Sequence, residues 1–335
     1  MMKPKLGIVL SGGGAKGAYE AGFLKALAEF NIQPHAIAGT SIGALNGAIY
    51  SANINTSTTA VLIEKIWQDM GNSNALQFDK KKVFINLVEV ITYFSPLAPV
   101  SKLAKFVQGF SVANSKKGLL TTRPIENILE KYAPLHKLKK GLPFYIGLTK
   151  SHGNMIDILR LFEIENLGST NFKKVQLLNE KDIYNAILAS AALPIAFDAI
   201  KVDGTYYRDG CLGSINNEWG NTPAHPLITE EKCTHIIVCH LNEGSFFNRH
   251  DPLFKDIAII EIRPQSNTFS SILDPLAFDV SKIDLWIEQG YTDSKKILSE
   301  SLEALNENYQ RITSEIQTDL ALEKLKIKKF SIPDE

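Results

Sequence analysis

The sequence predicts an α/β fold in which a mainly parallel sheet is covered by helices. At the start of the chain, strand, helix, strand and helix patterns alternate, and each strand runs into a glycine-containing loop that opens a helix. The two loops are residues 12–17 and 39–43. Because the carboxyl ends of parallel strands meet at one edge of a sheet, where open α/β sheets bind ligands, we expect the loops to face a common site.

The individual elements follow from hydrophobic periodicity and turn residues. Strands are predicted at residues 6–10, 37–39, 144–149, 155–161, 235–241 and 257–262, with a further strand that ends in a turn at 206–210. Helices are predicted at residues 17–30, 42–52, 62–70, 119–132, 180–192 and 281–304, and a charged amphipathic helix at 308–326. The long apolar stretch 84–110, interrupted by two prolines, predicts a helical insertion that is either an ordinary cap or a lid over an apolar path.

Composition excludes several classes of protein. The 335 residues are 44% hydrophobic, and Lys+Arg and Asp+Glu both number 36, so no global basic field indicates a nucleic-acid polymer as partner. Three widely spaced cysteines form neither a disulfide framework nor a metal-binding pattern, which favours a reducing compartment. No secretory segment or membrane-spanning stretch is recognised. We therefore expect a cytoplasmic protein that needs no metal and no cofactor.

The most informative segment is Gly39-Thr40-Ser41-Ile42-Gly43, a G-x-S-x-G pattern between a predicted strand and a predicted helix. Such a segment places its serine on a sharp strand-to-helix turn, where the helix N-terminus favours developing negative charge. Glycines on both sides let the backbone bend and let a substrate approach. The pattern predicts a nucleophile elbow formed by Gly39 and Gly43 around Ser41.

The first loop, residues 12–17, fits the G-x-G-x-x-G pattern of dinucleotide-binding proteins. The next strand lacks the acidic residue that would hold a ribose, and the Gly-Lys-Ser/Thr order of a P-loop is missing. The remaining use of such a loop is to stabilise an anion with its backbone N–H groups, which predicts an oxyanion hole facing Ser41. The residues predicted to form it are Gly12, Gly13, Gly14 and Ala15. A tight turn that simply starts a helix is the alternative.

A serine nucleophile needs a base. Among seven histidines, His240 at the end of a strand is the best candidate, but Ser41 comes very early for a Ser–Asp–His order. Asp209, in the turn after a strand, is the better partner, provided that burial and alignment allow this weak base to accept the serine proton. Asp-Gly is also a common turn pair, so a turn-forming role is the alternative for Asp209.

At this point the chain resembles the patatin-like phospholipases, in particular the bacterial type of patatin domain. The resemblance spans most of residues 5–300. The matching segments, in order, are Ser11-Gly12-Gly13-Gly14-Ala15-Lys16-Gly17-Ala18, Gly39-Thr40-Ser41-Ile42-Gly43-Ala44-Leu45-Asn46-Gly47, Ala189-Ser190-Ala191-Ala192-Leu193-Pro194 with Phe197, Asp209-Gly210, Asn221-Thr222-Pro223, residues 236–241 and Ile287-Glu288-Gln289-Gly290-Tyr291.

The resemblance implies a three-layer α/β sandwich with a mainly parallel central sheet, helices on both faces and a helical insertion. The domain would cover residues 5–300, with the insertion at about 72–118 and a helical tail at 301–335. The implied catalytic residues are a Ser41–Asp209 dyad without a histidine. In the implied acid motif, Gly210 matches the family, whereas Cys211 stands where the family usually has Gly or Ala. Lys16 is expected on the helix and not in the chemistry.

The implied activity is that of a lipid acyl hydrolase of the phospholipase A type. Its substrate would be phospholipid or another lipid ester, reached by transient contact with a membrane surface. Some bacterial members of this family are held inactive until a protein partner or a cyclic nucleotide binds, so the resemblance allows the same control here. The competing expectation is a catalytically dormant binding or regulatory protein on the same fold, since fold alone does not fix function. The oligomeric state is not predicted.

Overall fold

The computed structural model describes residues 4–53, 55–72, 121–161, 170–194, 196–212, 219–271 and 273–329. Eight strands within these residues form one sheet. They are β1 (Leu6–Leu10), β2 (Ala36–Gly39), β3 (Phe144–Lys150), β4 (Thr170–Lys174), β5 (Ile200–Val202), β6 (Thr205–Asp209), β7 (His235–Cys239) and β8 (Ala258–Ile262).

Strands β3, β2, β1, β7 and β8 are neighbours in that order, and all their pairings are parallel. Strands β4 and β6 both pair antiparallel with β3, and β5 pairs antiparallel with β6. The predicted mainly parallel sheet is therefore confirmed, with an antiparallel portion beyond β3.

Helices cover both faces of the sheet. In the described residues they are α1 (Ala18–Glu29), α2 (Ile42–Ala52), α3 (Thr56–Asn72), α4 (Arg123–Tyr132), α5 (Leu135–Lys140), α6 (Asn154–Leu161), α7 (Glu180–Ser190), α8 (His225–Thr229) and α9 (Val280–Lys329). Gly47 of α2 lies against Ile37 on one face, whereas Leu227 of α8 belongs to the buried cluster of Ala36 and Ala38 on the other. Since successive strand residues point to opposite faces, the predicted three-layer arrangement is confirmed.

The strand predicted at 155–161 is wrong, because these residues belong to helix α6. Their apolar run satisfied the strand pattern, but short apolar runs do not distinguish a strand from a helix. Tertiary contacts favour the helix. Asp157 and Arg160, three positions apart and hence on one helix face, are both buried, and Asp157 forms a 3.1 Å ion pair with Arg208 of β6. The helices predicted at 281–304 and 308–326 are one continuous helix, α9.

Contacts divide the chain into two units, residues 1–294 and 295–335. The first contains the sheet, and the second contains the part of α9 that begins at Lys295. The division predicted at residue 300 stays a prediction. The predicted insertion, from residue 73 onward and including 84–110, lies outside the described residues. Among the helices that are described, none combines the length and the apolarity required to cross a membrane.

Candidate active site

Ser41 lies on the sharp turn that the G-x-S-x-G pattern predicts. Strand β2 ends at Gly39 and α2 begins at Ile42, and Ser41 between them has φ 54° and ψ −122°. Residues other than glycine rarely adopt a positive φ, so the surroundings must hold this turn in place. A β-carbon on Gly39 would lie 2.3 Å from the carbonyl oxygen of Gly43, and one on Gly43 would lie 2.4 Å from that of Leu10. The two elbow glycines therefore permit close backbone approach.

The register of the sheet brings Asp209 to the end of β2. Strand β4 pairs with residues 145–149 of β3. Strand β2 pairs with residues 144–146 of β3 and β6 with residues 148–150, so each shares part of the β4 stretch. Because a strand has only two edges, β2 and β6 share the edge opposite β4. Gly39 pairs with Ile146 and Asp209 pairs with Leu148, so the two strands end two β3 residues apart. The Ser41 turn, predicted as a nucleophile elbow, and the turn after Asp209, predicted as the acid turn, therefore meet at one place.

Gly147 is the β3 residue between those two pairings. A β-carbon at Gly147 would lie 2.4 Å from Thr40 Oγ1, and one at Gly210 would lie 2.4 Å from the carbonyl oxygen of Gly147. The Thr40 hydroxyl donates a 2.7 Å hydrogen bond to the carbonyl of Gly220. The elbow and the acid turn thus pack directly onto one residue that has no side chain.

Asp209 is fully buried. Its Oδ1 accepts a 2.9 Å hydrogen bond from the N–H of Cys211. Its Oδ2 accepts no hydrogen bond of ordinary length from the residues that the structure describes. Burial raises the pKa of Asp209 to about 6, against the lowering effects of the Cys211 N–H and the Ser41 hydroxyl. A carboxylate with a free oxygen and this pKa is suited to accept a proton near neutral pH.

The first glycine loop lies over Ser41. A β-carbon on Gly12 would lie 3.1 Å from Ser41 Cβ. The N–H of Gly12 donates to the carbonyl oxygen and to Oδ1 of Asn221, at 3.3 and 3.1 Å, so this group of the predicted oxyanion hole is already engaged. The N–H groups of residues 13–15 are bound to no described acceptor, as expected at the start of the short 3₁₀ turn Gly14–Gly17. These three N–H groups are the loop's available donors.

Lys16, expected on a helix, lies in the same 3₁₀ turn with its side chain buried. Its ammonium group is hydrogen-bonded to Asn242 Oδ1 and lies 5.0 Å from the ring centre of Phe269. Its side-chain stem contacts Gly13 of the loop. Burial lowers the pKa of Lys16 to about 8, although the charge of Asp274 acts in the opposite direction. The Lys16 side chain therefore packs beside the loop.

Sequence reasoning gave no role to Ser190 at the end of α7. Its Oγ accepts a 2.8 Å hydrogen bond from the N–H of Ser41 and donates a 2.7 Å hydrogen bond to the carbonyl of Gly147. Two residues later, the carbonyl of Ala192 accepts a 3.3 Å hydrogen bond from the N–H of Asp209. Ser190 lies in a segment that carries the family resemblance. Its partner Gly147 is a glycine inside a strand, which indicates close approach of another backbone. Both signals were present in the sequence.

His240, the best histidine candidate, is engaged elsewhere. It is fully buried, its Nε2 lies 3.1 Å from Glu261 Oε2, and its ring packs edge-on against Phe247. In the described ranges no contact joins it to Ser41 or Asp209, and no group of three or more His, Cys, Asp or Glu residues is placed to hold a metal ion. The geometry thus places an aspartate, and not this histidine, beside the serine.

Comparison with known proteins identifies the family of the chain. The family model described as patatin-like phospholipase matches residues 8–227. Lysophospholipase nte1 of Aspergillus terreus is 54% identical over 46 residues, which are 14% of this chain and 3% of that protein. The neuropathy target esterase sws of Drosophila melanogaster is 47% identical over 53 residues, which are 16% of this chain and 4% of that protein. The chain thus matches only a small part of the length of these relatives.

Solved structures resemble the chain at lower similarity. VipD from Legionella pneumophila has a TM-score of 0.43 at 15% identity, and the match covers 89% of this chain and 67% of VipD. ExoU from the type III secretion system of Pseudomonas aeruginosa, solved in complex with SpcU, has a TM-score of 0.35 at 15% identity, covering 89% and 52% of the two chains.

Proposed function

Because the chain belongs to the patatin-like phospholipase family, whose model matches residues 8–227, we propose that it hydrolyses fatty-acyl esters of phospholipids through Ser41 and Asp209. One observation carries the proposal. A buried carboxylate with a free oxygen and a pKa of about 6 meets a serine on a strained strand-to-helix turn. A carboxylate that served only to form a turn would not need to be buried with one oxygen unpartnered, since such burial costs free energy.

The proposed first step is attack of Ser41 Oγ on the ester carbonyl carbon while Oδ2 of Asp209 accepts the hydroxyl proton. The carbonyl oxygen becomes an oxyanion, and the free N–H groups of residues 13–15 stabilise it at the start of a helical turn. When the tetrahedral intermediate collapses, the C–O bond to the lysolipid breaks and Asp209 returns the proton to the departing alkoxide oxygen. The fatty acyl group is left on Ser41.

The second step reverses these roles. Asp209 removes a proton from water, and the resulting hydroxide attacks the acyl-Ser41 carbonyl. Collapse of this second intermediate breaks the bond to Ser41 Oγ, which recovers the proton from Asp209. Fatty acid and free enzyme are regenerated. Near neutral pH, Asp209 with a pKa of about 6 is mostly ionised and able to start the next cycle.

Fatty-acid release from mixed phospholipid vesicles tests the proposal. Wild type is compared with Ser41→Ala and Asp209→Asn, and with His240→Gln as the variant that keeps the dyad. The proposal expects release by wild type and by His240→Gln and none by the two dyad variants. Equal release by wild type and Asp209→Asn, or loss in His240→Gln with its fold intact, would contradict it.

Regulation is tested in the same assay. A folded wild type that is silent on vesicles but gains activity with a cyclic nucleotide or a protein partner supports a lipid hydrolase under activator control. A folded wild type that neither hydrolyses esters nor reacts with a phosphonate at Ser41 contradicts the enzymatic proposal and favours a dormant binding or regulatory protein on this fold.

A further inference from the structure

The end of α7 holds the backbone of both proposed dyad residues. The hydroxyl of the fully buried Ser190 accepts a hydrogen bond from the N–H of Ser41. The carbonyl of Ala192 accepts a hydrogen bond from the N–H of Asp209. The Ser190 hydroxyl also donates to the carbonyl of Gly147, the residue at which the elbow and the acid turn meet. The Ser190 side chain therefore joins two other parts of the chain, the Ser41 turn and β3, and the backbone two residues later holds Asp209.

The chemistry of this position requires a hydroxyl. Ser190 Oγ accepts one hydrogen bond and donates another at the same time, which an aliphatic side chain cannot do and a thiol does only weakly. Neither of the two hydrogen bonds reaches substrate, because their partners are backbone groups of Ser41 and Gly147. Any effect of Ser190 on the reaction must pass through the geometry of the elbow.

The elbow needs such a restraint. Ser41 has φ 54°, a strained value that persists only where neighbouring groups determine it. The hydrogen bond from its own N–H to Ser190 fixes the peptide that precedes this strained residue. We infer that Ser190 is a positioning residue of the proposed lipid hydrolase, which sets the Ser41 turn against the strand that carries Asp209. This inference rests on the proposed function.

Loss of the hydroxyl leaves the Ser41 N–H buried without its acceptor and releases the turn. The distance between Ser41 Oγ and Asp209 Oδ2 then varies, while the surface that binds the ester is unchanged. We expect kcat on a soluble ester to fall about tenfold to a hundredfold, because small misplacements of reacting groups slow a reaction by such factors. KM should change by less than about twofold.

Four variants test the inference: Ser190→Ala, Ser190→Cys, Ser190→Thr and the control Ser51→Ala. Ser51 is also a fully buried serine, at the far end of α2, and its hydroxyl donates a 2.7 Å hydrogen bond to the carbonyl of Leu142. Cysteine keeps the shape of the serine side chain with a somewhat larger atom that hydrogen-bonds only weakly, whereas threonine preserves the hydroxyl. For each variant, kcat, KM and the rate of phosphonate labelling at Ser41 are measured per folded molecule, together with the melting temperature.

The inference expects kcat and the labelling rate to fall together in Ser190→Ala and Ser190→Cys, to be largely retained in Ser190→Thr, and to be unchanged in Ser51→Ala. A Ser190→Cys variant with wild-type kcat, or a Ser190→Ala variant that loses only melting temperature, overturns it, because Ser190 would then act through packing or stability alone.

A crystal structure of Ser190→Ala separates this inference from the proposed function. A displaced Ser41 turn supports the positioning role whether or not wild type hydrolyses esters. The absence of hydrolysis by wild type would count against the proposed function alone. A Ser41 turn that is unchanged in the absence of the Ser190 hydroxyl overturns the inference whatever the activity.

Discussion

The carbonyl oxygen of Gly147 lies against Gly210, 2.4 Å from the point where a β-carbon on Gly210 would project. Gly147 in turn lies against Thr40, the residue before the proposed nucleophile, with no room for a side chain between them. The turn that carries Ser41 and the turn that follows Asp209 are thus joined through one glycine of β3.

Replacement of Gly147 by alanine should damage the site more than the fold. The new β-carbon would lie 2.4 Å from Thr40 Oγ1, and Thr40 cannot simply turn aside without losing its hydrogen bond to Gly220. We expect kcat/KM on a soluble ester to fall about a hundredfold because the elbow shifts. The control is Gly244→Ala, since no atom lies within 4 Å of a β-carbon at Gly244. Equal activities of the two variants would contradict the prediction.

The pH dependence of the reaction should follow the ionisation of Asp209. Its pKa is raised to about 6, and only the carboxylate accepts a proton, so kcat/KM should rise with pH, reach half its maximum near pH 6 and level off above. A histidine base would give a similar profile, so the control is His240→Gln, whose profile should keep the same midpoint. A rate that does not change between about pH 5 and pH 8 would exclude Asp209 as the base.

Asp209→Asn should abolish activity and yet stabilise the fold at neutral pH. The folded-state pKa of about 6 exceeds the ordinary value of 3.8, so folding favours the protonated form. Wild-type stability therefore falls as pH rises from about 4 to about 6 and stays lower above that. We expect Asp209→Asn to raise the free energy of unfolding by about 1–3 kcal/mol at pH 7.5, since one pKa unit corresponds to about 1.4 kcal/mol.

Urea titrations of wild type and Asp209→Asn at pH 7.5 and near pH 4.5 measure this difference. The gain should shrink at the lower pH, where the wild-type carboxyl is already protonated. A variant that is less stable than wild type at pH 7.5 would show that the buried charge of Asp209 is better compensated than we infer.

Lys16→Met should likewise stabilise the fold at neutral pH. Burial lowers the folded-state pKa of Lys16 from 10.5 to about 8, so folding disfavours the charged form. The free-energy cost of burying the charged Lys16 ammonium is fully present below about pH 8 and disappears as the pH rises toward 10.5. We expect a gain of about 1–3 kcal/mol in the free energy of unfolding at pH 7, which vanishes near pH 10. Methionine keeps an apolar stem against Gly13, and Asn242 remains hydrated because it is exposed.

The control for Lys16 is Lys25→Met in helix α1. Lys25 has a 40% exposed side chain and a 3.2 Å ion pair with Glu64, so its replacement should change stability by less than about 1 kcal/mol at either pH. Equal effects of the two replacements at pH 7 would rule out a specific cost of burying the Lys16 ammonium.

Much of the site was predictable because its signals are local. The turn at Ser41 follows from glycines at fixed offsets between a strand and a helix, and the loop at residues 12–17 has the same kind of signal. The mainly parallel sheet follows from the alternation of strand and helix patterns. These features depend on short stretches of chain whose preferences agree with the final fold.

What could not be predicted depends on contacts between distant segments. Ser190 is 149 positions from the Ser41 amide that it binds, and although its segment carries the family resemblance, no local pattern identifies that amide as its partner. The register that places Gly39 and Asp209 two residues apart along β3 is also a property of the assembled sheet. Residues 155–161 show the same limit, because the ion pair of Asp157 with Arg208 lies 51 positions apart in sequence.

The most direct test of the proposed dyad is the site and rate of reaction with a fluorophosphonate, followed by intact-mass spectrometry and peptide mapping. We expect one adduct on wild-type protein, located on Ser41, no adduct on Ser41→Ala, and labelling of Asp209→Asn that is slower by at least about a hundredfold. An adduct on another serine, or labelling of Asp209→Asn at the wild-type rate, would contradict a Ser41 nucleophile activated by Asp209.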